Sequence, residues 1–589
     1  MFYFKCGKEF YFEDEKELYK VNYEDNLELI NEVRIEDENF SKNYDVSEIE
    51  IENSIYLMYK IFNLSELKSI LQQLKKEKKS AIIEFFDLIL YIDKNNKLNT
   101  LEIYTRYIEG LNYNIRRLLS TQEKKIYFND ETKLSTINQI INETIKINSN
   151  EIVYYLKNDK SIYVTSIFNS LPRDFRSANI KLKAQEYLTL ETGYREQSSR
   201  VVFPIGRFSI IQKIERTDSK DIIGIPVYSG ETASYDDNIR FLVQGGKGHS
   251  EIQAYNSFVG ECIERYSAKI SDKDKIITGT YQELKKKGYE IINPTCMNID
   301  VNNNEIGRFN KKKVYDWVLC TNLKDNNRFL IEASFVFFPY YRKIEYLFNT
   351  QSTTGLSSGR NLEEAILQGI LEVIERDSYS IKQKANTRAY VINRSCLDFE
   401  NAKLIEYLKG KGVRCHLIKL NEESEYHVVH CMTEASRIPI FTHGCGASLD
   451  INTATRRAIL EAIQLRVSQI ELFNIEIDQN NKYMKPYFEW AKGNYEYTHI
   501  FTERENHRMP TEYKDSRSNN LKKDIDFLVS QIDSPYILIA NLSRKELPLN
   551  VVRVIIPTYQ DIDFNNRKIT KRLKTALKGK EVTKLGIFS

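Results

Sequence analysis

The sequence predicts an α/β protein with internally repeated helix–sheet units, preceded by an α+β region of different texture. Three observations carry this. Strand-like and helix-like segments alternate from about residue 193 onward. The pattern A-x6-E-x-I-E-R-x-S occurs at Ala254–Ser267 and recurs at Ala365–Ser378. Glycine is scarce over 1–190 and returns after Gly193.

Taken in order, residues 1–190 read as an accessory region rich in Lys, Asn, Glu and Ile. Met1–Phe12 and Ser54–Tyr59 look like short strands. Leu64–Tyr91 shows helical spacing, with Leu67, Ile70, Leu71 and Leu74 at three- and four-residue steps. A turn-rich stretch follows from Tyr91 to Lys97. That order suits a winged-helix-like module, and an irregular helical accessory domain equally well. The polar run Arg195–Arg200 marks a boundary, and 191–589 reads as the larger domain. Strands are expected over Ile222–Tyr228, Lys313–Thr321, Phe329–Phe338, Val413–Leu420, Tyr426–Thr433, Tyr536–Leu542 and Val551–Ile556. Helices are expected over Ser250–Ile270, Leu362–Lys384 and Asn452–Phe473. The polar, aromatic stretch 474–518 has no clear period and reads as an insertion or surface excursion.

Composition narrows the function classes. Apolar content of 41% and charged content of 28% suit a folded protein with a core. A net charge of +3 over 589 residues leaves no nucleic-acid footprint. The eight cysteines are scattered without a C-x-x-C, which fits reduced thiols. The N-terminus lacks the order of a signal peptide, and the longest apolar run, Ala81–Ile92, is too short to span a bilayer. A cytoplasmic protein with no membrane contact is expected.

The doubled motif carries the chemistry. Residues three apart share a helix face, so Glu261 projects with Glu264 and Glu372 with Glu375. Such pairs repel unless a cation lies between them. Magnesium prefers hard oxygen donors and takes one or two carboxylates plus phosphate oxygens and water. Arg265 and Arg376 stand one position on, where they can reach phosphate. E-x-x-E-R alone is ordinary helix surface; the duplication lifts it to a candidate metal–nucleotide site. Each copy follows a glycine-bearing loop. The last glycine of the loop stands at the same distance before the first glutamate in both copies, Gly248 to Glu261 and Gly359 to Glu372. A continuous helix over that interval spans about 20 Å. A loop and its own glutamates therefore cannot meet at one phosphate, and the repeats must combine or the loops serve only the turns. A fainter third copy places Arg457, Glu461, Gln464 and Arg466 near one helical face after Gly444-Cys-Gly446, with an i,i+4 pair expected between Arg457 and Glu461.

Other motifs are weaker. Gly245-Gly-Lys247-Gly248 resembles a phosphate loop without its full frame. His427, His430, Cys431, His443 and Cys445 have zinc-like letters, but in a strand His427 and His430 face opposite sides. No G-x-G-x-x-G follows a strand.

These segments resemble the YcaO family. The resemblance rests on Gly246-Lys-Gly248…Glu261-Cys-Ile-Glu-Arg-Tyr-Ser267, on Gly359-Arg-Asn-Leu-Glu-Glu-Ala365…Glu372-Val-Ile-Glu-Arg-Asp377, and on Arg457-Ala-Ile-Leu-Glu461-Ala-Ile-Gln464-Leu-Arg466. Pro204-Ile-Gly206, Gly224-Ile-Pro-Val227 and Val551-Val-Arg553-Val-Ile-Ile-Pro557 flank them, so it covers about 195–560. It implies a YcaO-type fold and an ATP- and Mg2+-dependent enzyme acting on peptide backbone amides. By the same resemblance Glu261, Glu264, Glu372 and Glu375 bind metal, and Lys247, Glu364, Arg376, Arg457, Glu461 and Gln464 bind ATP. The implied reaction is azoline formation from Cys, Ser or Thr of a ribosomally made precursor peptide, most like the thiopeptide pathways. The implied partners are the precursor peptide, a ThiF-like leader-binding protein, a flavin-dependent azoline dehydrogenase and a second copy in a homodimer.

Three departures bear on this. The chain ends Lys-Leu-Gly-Ile-Phe-Ser589 rather than in the proline-rich tail of many azoline-forming members. Arg360 replaces a frequent asparagine, and the N-terminal region lacks the zinc cysteines of fused members. Leader recognition is thus expected from a partner or from a module within residues 1–95. Thioamide or amidine formation, and a non-catalytic peptide-binding scaffold, are the competing readings.

Overall fold

The computed structural model describes strands and short helical pieces between residues 2 and 166, most of 200–562, and 569–582. The chain divides into two compact units. One comprises Met1–Leu171, Val202–Glu215 and Gly230–Gln244; the other comprises Pro172–Val201, Arg216–Ser229 and Gly245–Ser589. The polar run expected at the boundary lies outside the described residues, except for Arg200.

The first unit is α+β. Phe2–Cys6, Glu9–Asp14, Glu17–Val21 and Leu27–Ile30 form an antiparallel meander, so the single strand expected over Met1–Phe12 is a hairpin with Phe2 opposite Glu13. A seven-stranded sheet follows, in which Ser54–Ile61 runs parallel to Ala81–Phe85. Helical residues between 70 and 77 bridge them, with Ile70 and Leu74 buried. The helix expected over Leu64–Tyr91 therefore ends early. Ala81–Phe85 and Leu88–Ile92 form a hairpin with Ala81 opposite Ile92. A short apolar run has no period to separate strand from helix, and here the isoleucines pack in a sheet. Ile82 and Ile89 join Met58, Ile137, Ile140 and Ile141 in one small core.

The second unit holds two mainly antiparallel sheets. In one the order is Ile277–Thr280, Val314–Asn322, Leu538–Asn541, Asn550–Ile555 and Leu356–Gly359, with Arg328–Glu332 also pairing Val314–Asn322. In the other the order is Phe441–Ser448, His427–Ala435, Val413–Lys419, Tyr390–Val391 and His507–Arg508. Two expected strands are trimmed. The one expected over Phe329–Phe338 stops at Glu332, whose carboxylate accepts from Ser334 N and caps a 3-10 turn. The one expected at Ile222 starts at Val227, after a turn with Gly224 at φ +67°. Within 474–518, Trp490 and Phe501 are buried in the core, and His507–Arg508 is the sheet-edge strand. Short helical turns rather than one long element make up the described part, so the segment has no single period to read.

Three strand–helix pairs recur. Strand β1 (Leu242–Lys247) leads into helix α1 (Glu251–Ser267), β2 (Leu356–Gly359) into α2 (Leu362–Ala385), and β3 (Phe441–Ser448) into α3 (Ile451–Phe473). Each helix starts at a side-chain cap. Ser250 accepts from Gln253 N, Asn361 from Glu364 N and Asp450 from Thr453 N. Each cap stands at the same distance before a glutamate: Ser250 before Glu261, Asn361 before Glu372 and Asp450 before Glu461. Strand and helix touch through glycine. A Cβ on Gly246 would lie 2.3 Å from Ala254 O, and one on Gly446 would lie 2.3 Å from Ala454 O. The same contact at the same spacing shows that the first and third pairs are built alike.

Candidate functional site

The three helices converge on one cavity of about 590 Å3. All ten residues singled out from the sequence line it: Lys247, Glu261, Glu264, Glu364, Glu372, Glu375, Arg376, Arg457, Glu461 and Gln464. Its wall carries six glutamates and five Lys or Arg side chains.

The first glutamate of each full repeat is held the same way. Glu261 accepts from Gly245 N at 3.2 Å and pairs with Arg265 at 3.1 Å. Glu372 accepts from Gly355 N at 3.2 Å and lies 3.8 Å from Arg376. In both repeats a glycine ahead of the helix thus meets a glutamate of that helix, which corrects the separation expected from helix length. It applies to Gly248 and Gly359 at the helix starts. The strand doubles back along its helix and returns Gly245 and Gly355 to the level of the carboxylates.

The remaining contacts cross between repeats and close a ring. Glu264 of α1 accepts from Ser358 of β2, through N at 2.7 Å and Oγ at 2.8 Å. Arg457 of α3 donates through Nη1 to Gln368 Oε1 of α2 at 2.6 Å. Lys247 of β1 pairs with Glu461 of α3 at 3.0 Å. Thus the first repeat is tied to the second, the second to the third and the third to the first. The Arg457–Glu461 pair expected along one helix does not form, because each residue finds a partner on another repeat. Gly245 and Gly246 lie in β1 rather than in a phosphate-cradling loop. Gln464 faces Gly245, where any added Cβ would fall 2.2 Å from its Nε2.

Sequence reasoning missed Ser358 and Gln368. Gln368 had a signal: it stands one helical turn before Glu372, as Arg457 stands before Glu461 and Ser257 before Glu261. All three line the cavity.

The electrostatics favour a cation. Burial pushes the Glu264 carboxyl up to about 8; Arg265 opposes this, and Glu372 and Glu261 add to it. Burial and the neighbouring Glu461 push Glu375 up to about 7. Burial also raises Glu372. Glu461 is held below the usual carboxylate range: burial acts the other way, but Lys247 and Arg376 outweigh it. Hard oxygen donors whose charge is costly in isolation fit magnesium. Among the described residues no three His, Cys, Asp or Glu side chains come close enough to enclose an ion alone. An ion here is therefore to be shared with the oxygens of a bound phosphate and water, which is how magnesium is usually held.

Of the zinc-like letters, His443 and Cys445 line the cavity, whereas His427 and His430 do not. His427 Nε2 lies 2.7 Å from Lys514 O, and His430 stacks on Phe501 at 4.2 Å.

A family model described as YcaO cyclodehydratase, ATP- and Mg2+-binding, matches residues 245–560. The chain belongs to the YcaO family. It is an ATP-dependent enzyme of the cyclodehydratase family, with ATP and Mg2+ as cofactors. An uncharacterised protein of Methanothermobacter thermautotrophicus is 26% identical over 378 residues, covering 62% of this chain and 94% of its own. A heterocyclase in complex with substrate and cofactor shares the YcaO fold at TM-score 0.68 and 16% identity, over 89% of this chain and 79% of its own. The heterocyclase TruD does so at TM-score 0.57 and 15% identity, over 86% and 74%. Among the described residues no helix of this YcaO protein is long and apolar enough to cross a membrane.

Proposed function

We propose that this YcaO enzyme converts Cys, and by the same chemistry Ser or Thr, of a ribosomally made precursor peptide into azolines. The substrate side chain gives up its S–H or O–H proton to solvent and adds to the preceding carbonyl carbon. The carbonyl oxygen takes the terminal phosphoryl group of ATP, and ADP leaves. The C–O bond then breaks to release inorganic phosphate, the amide nitrogen gives up its proton, and a C=N bond forms. The net loss is one water.

In this reading Glu261, Glu264, Glu372 and Glu375 hold Mg2+, which when bound neutralises the triphosphate and favours phosphoryl transfer. Lys247, Arg376 and Arg457 face the phosphates, and Glu364, Glu461 and Gln464 complete the nucleotide site. The observation that carries the proposal is the ring of contacts joining three repeats around one carboxylate-rich cavity. The fold is shared with a heterocyclase solved with its substrate and cofactor, which supports a heterocycle-forming reaction. A ThiF-like partner or the N-terminal region 1–190 would bind the leader, and a flavin-dependent dehydrogenase would act on the product.

The test is incubation of the full chain with ATP, Mg2+, a cysteine-bearing precursor and its leader-binding partner. The expected result is loss of one water per modified residue. An unchanged peptide mass while the partner binds contradicts the proposal, and exchange of oxygen for sulfur makes the enzyme a thioamide former.

A further inference from the structure

The carboxylate-rich cavity has a neighbour of opposite character. Lys247, Ser257 and Arg457 form a wall common to it and to a second cavity of about 350 Å3. The far side of the second cavity is built from His249, Arg456 and Thr453, among others. Three permanent cations line it and no carboxylate does, two of them shared with the first cavity, where six glutamates stand beside five Lys or Arg side chains. Its volume is that of about twelve water molecules at about 30 Å3 each, which suits a hydrated small anion.

The cations are only partly neutralised. Lys247 is paired with Glu461 on the side of the first cavity. Arg456 donates one bond, from Nη2 to Asp398 at 2.8 Å, and a guanidinium has five N–H groups to give. Arg457 donates to two neutral acceptors, Gln368 Oε1 and Ala447 O. His249 is exposed, so the compartment reaches solvent on that side.

We propose that the second cavity is a product subsite, which receives the inorganic phosphate set free by the reaction and passes it to solvent. The inference rests on the proposed cyclodehydratase chemistry, which releases phosphate beside six glutamates. In the first cavity those carboxylates oppose a phosphate no longer tied to magnesium and offset the attraction of the five Lys and Arg side chains there. The nearest relief lies across the wall of Lys247 and Arg457, where Arg456 offers a charge-assisted, two-pronged contact and His249 a further ring nitrogen near the exit.

The experiment is direct binding of inorganic phosphate to the full chain in the presence of Mg2+ and ADP, followed by calorimetry. The wild type is expected to bind. Arg456→Ala should weaken phosphate about tenfold, the size of one lost charge-assisted bond, while Arg456→Lys recovers most of it. The affinity for the non-hydrolysable nucleotide AMPPCP with Mg2+ should be unchanged in both. Because Arg456 also holds Asp398, the exposed His249→Ala serves as a second variant and should weaken phosphate severalfold. Phosphate affinity indifferent to Arg456→Ala and His249→Ala overturns the proposal. So does complete exclusion of phosphate by AMPPCP, which would place it in the nucleotide site. So does loss of binding of a glutamate-bearing peptide, rather than of phosphate, in Arg456→Ala. No turnover is needed for this measurement. Arg456-dependent phosphate binding with an unchanged peptide mass would refute the assigned reaction and leave the subsite standing.

Discussion

Ser358 gives both of its donors to one carboxylate: its backbone N–H and its hydroxyl meet Glu264 Oε1 at 2.7 and 2.8 Å. The pair joins residues 94 apart and pins the first repeat helix to the second repeat strand. Ser358→Ala keeps the backbone bond and removes the hydroxyl. A hydrogen bond to a charged group is worth about 1.5–3 kcal/mol. The KM for magnesium–ATP is therefore expected to rise roughly tenfold or more, with little change in melting temperature. Steady-state ATPase kinetics with saturating peptide check this.

Glu264→Gln and Glu375→Gln should separate activity from stability. Both carboxyls are raised by burial, and each lies beside other glutamates. An amide removes buried charge while keeping the shape. Peptide-dependent ATP turnover should fall at least about 100-fold, a loss typical of removing a group that stabilises developing charge. The melting temperature in metal-free buffer should stay the same or rise. A marked drop there would assign the pair a structural role instead.

The same shifts predict a pH dependence. Glu264 is raised to about 8 and Glu375 to about 7 from an ordinary value of 4.5. Between those limits the folded, metal-free protein keeps protons that the unfolded chain has lost. This contribution to stability is complete below about 4.5 and declines as pH rises to about 8. Magnesium competes with those protons, so magnesium–nucleotide affinity should strengthen from pH 6 to about 8, with proton uptake by the buffer. Calorimetry in two buffers of different ionisation enthalpy measures this, and Glu264→Gln should reduce the released protons.

Gly446→Ala probes the packing that places the third helix. The new Cβ would lie 2.3 Å from Ala454 O and 2.7 Å from Arg457 Cβ. Neither backbone nor helix can yield by so much without moving α3. A loss of about 1–3 kcal/mol from overpacking is expected, together with weaker nucleotide binding through Arg457. Chemical denaturation and AMPPCP titration read the two effects.

Much of the site was legible because the repeats mark it twice. The spacing from cap to glutamate is kept in all three units, although the third has Gln464 and Leu465 where the others have Glu and Arg. What was not legible has no period. Lys247 and Glu461 are 214 residues apart, and only the folded chain shows that they meet. Ser358 and Gln368 are single polar residues in ordinary strand and helix contexts. In the first unit, Ala81–Ile92 carries an apolar run too short to reveal its conformation. Its hairpin follows from partners such as Ser54–Ile61 and Glu151–Leu156 that local pattern does not name.

In the proposed reaction the amide oxygen of the peptide is the phosphoryl acceptor. This is tested most directly with a precursor carrying 18O in the carbonyl before the reactive cysteine. The label is expected in the inorganic phosphate, read by its 31P isotope shift, in step with water loss from the peptide. Unlabelled phosphate accompanying a cyclised peptide would contradict it.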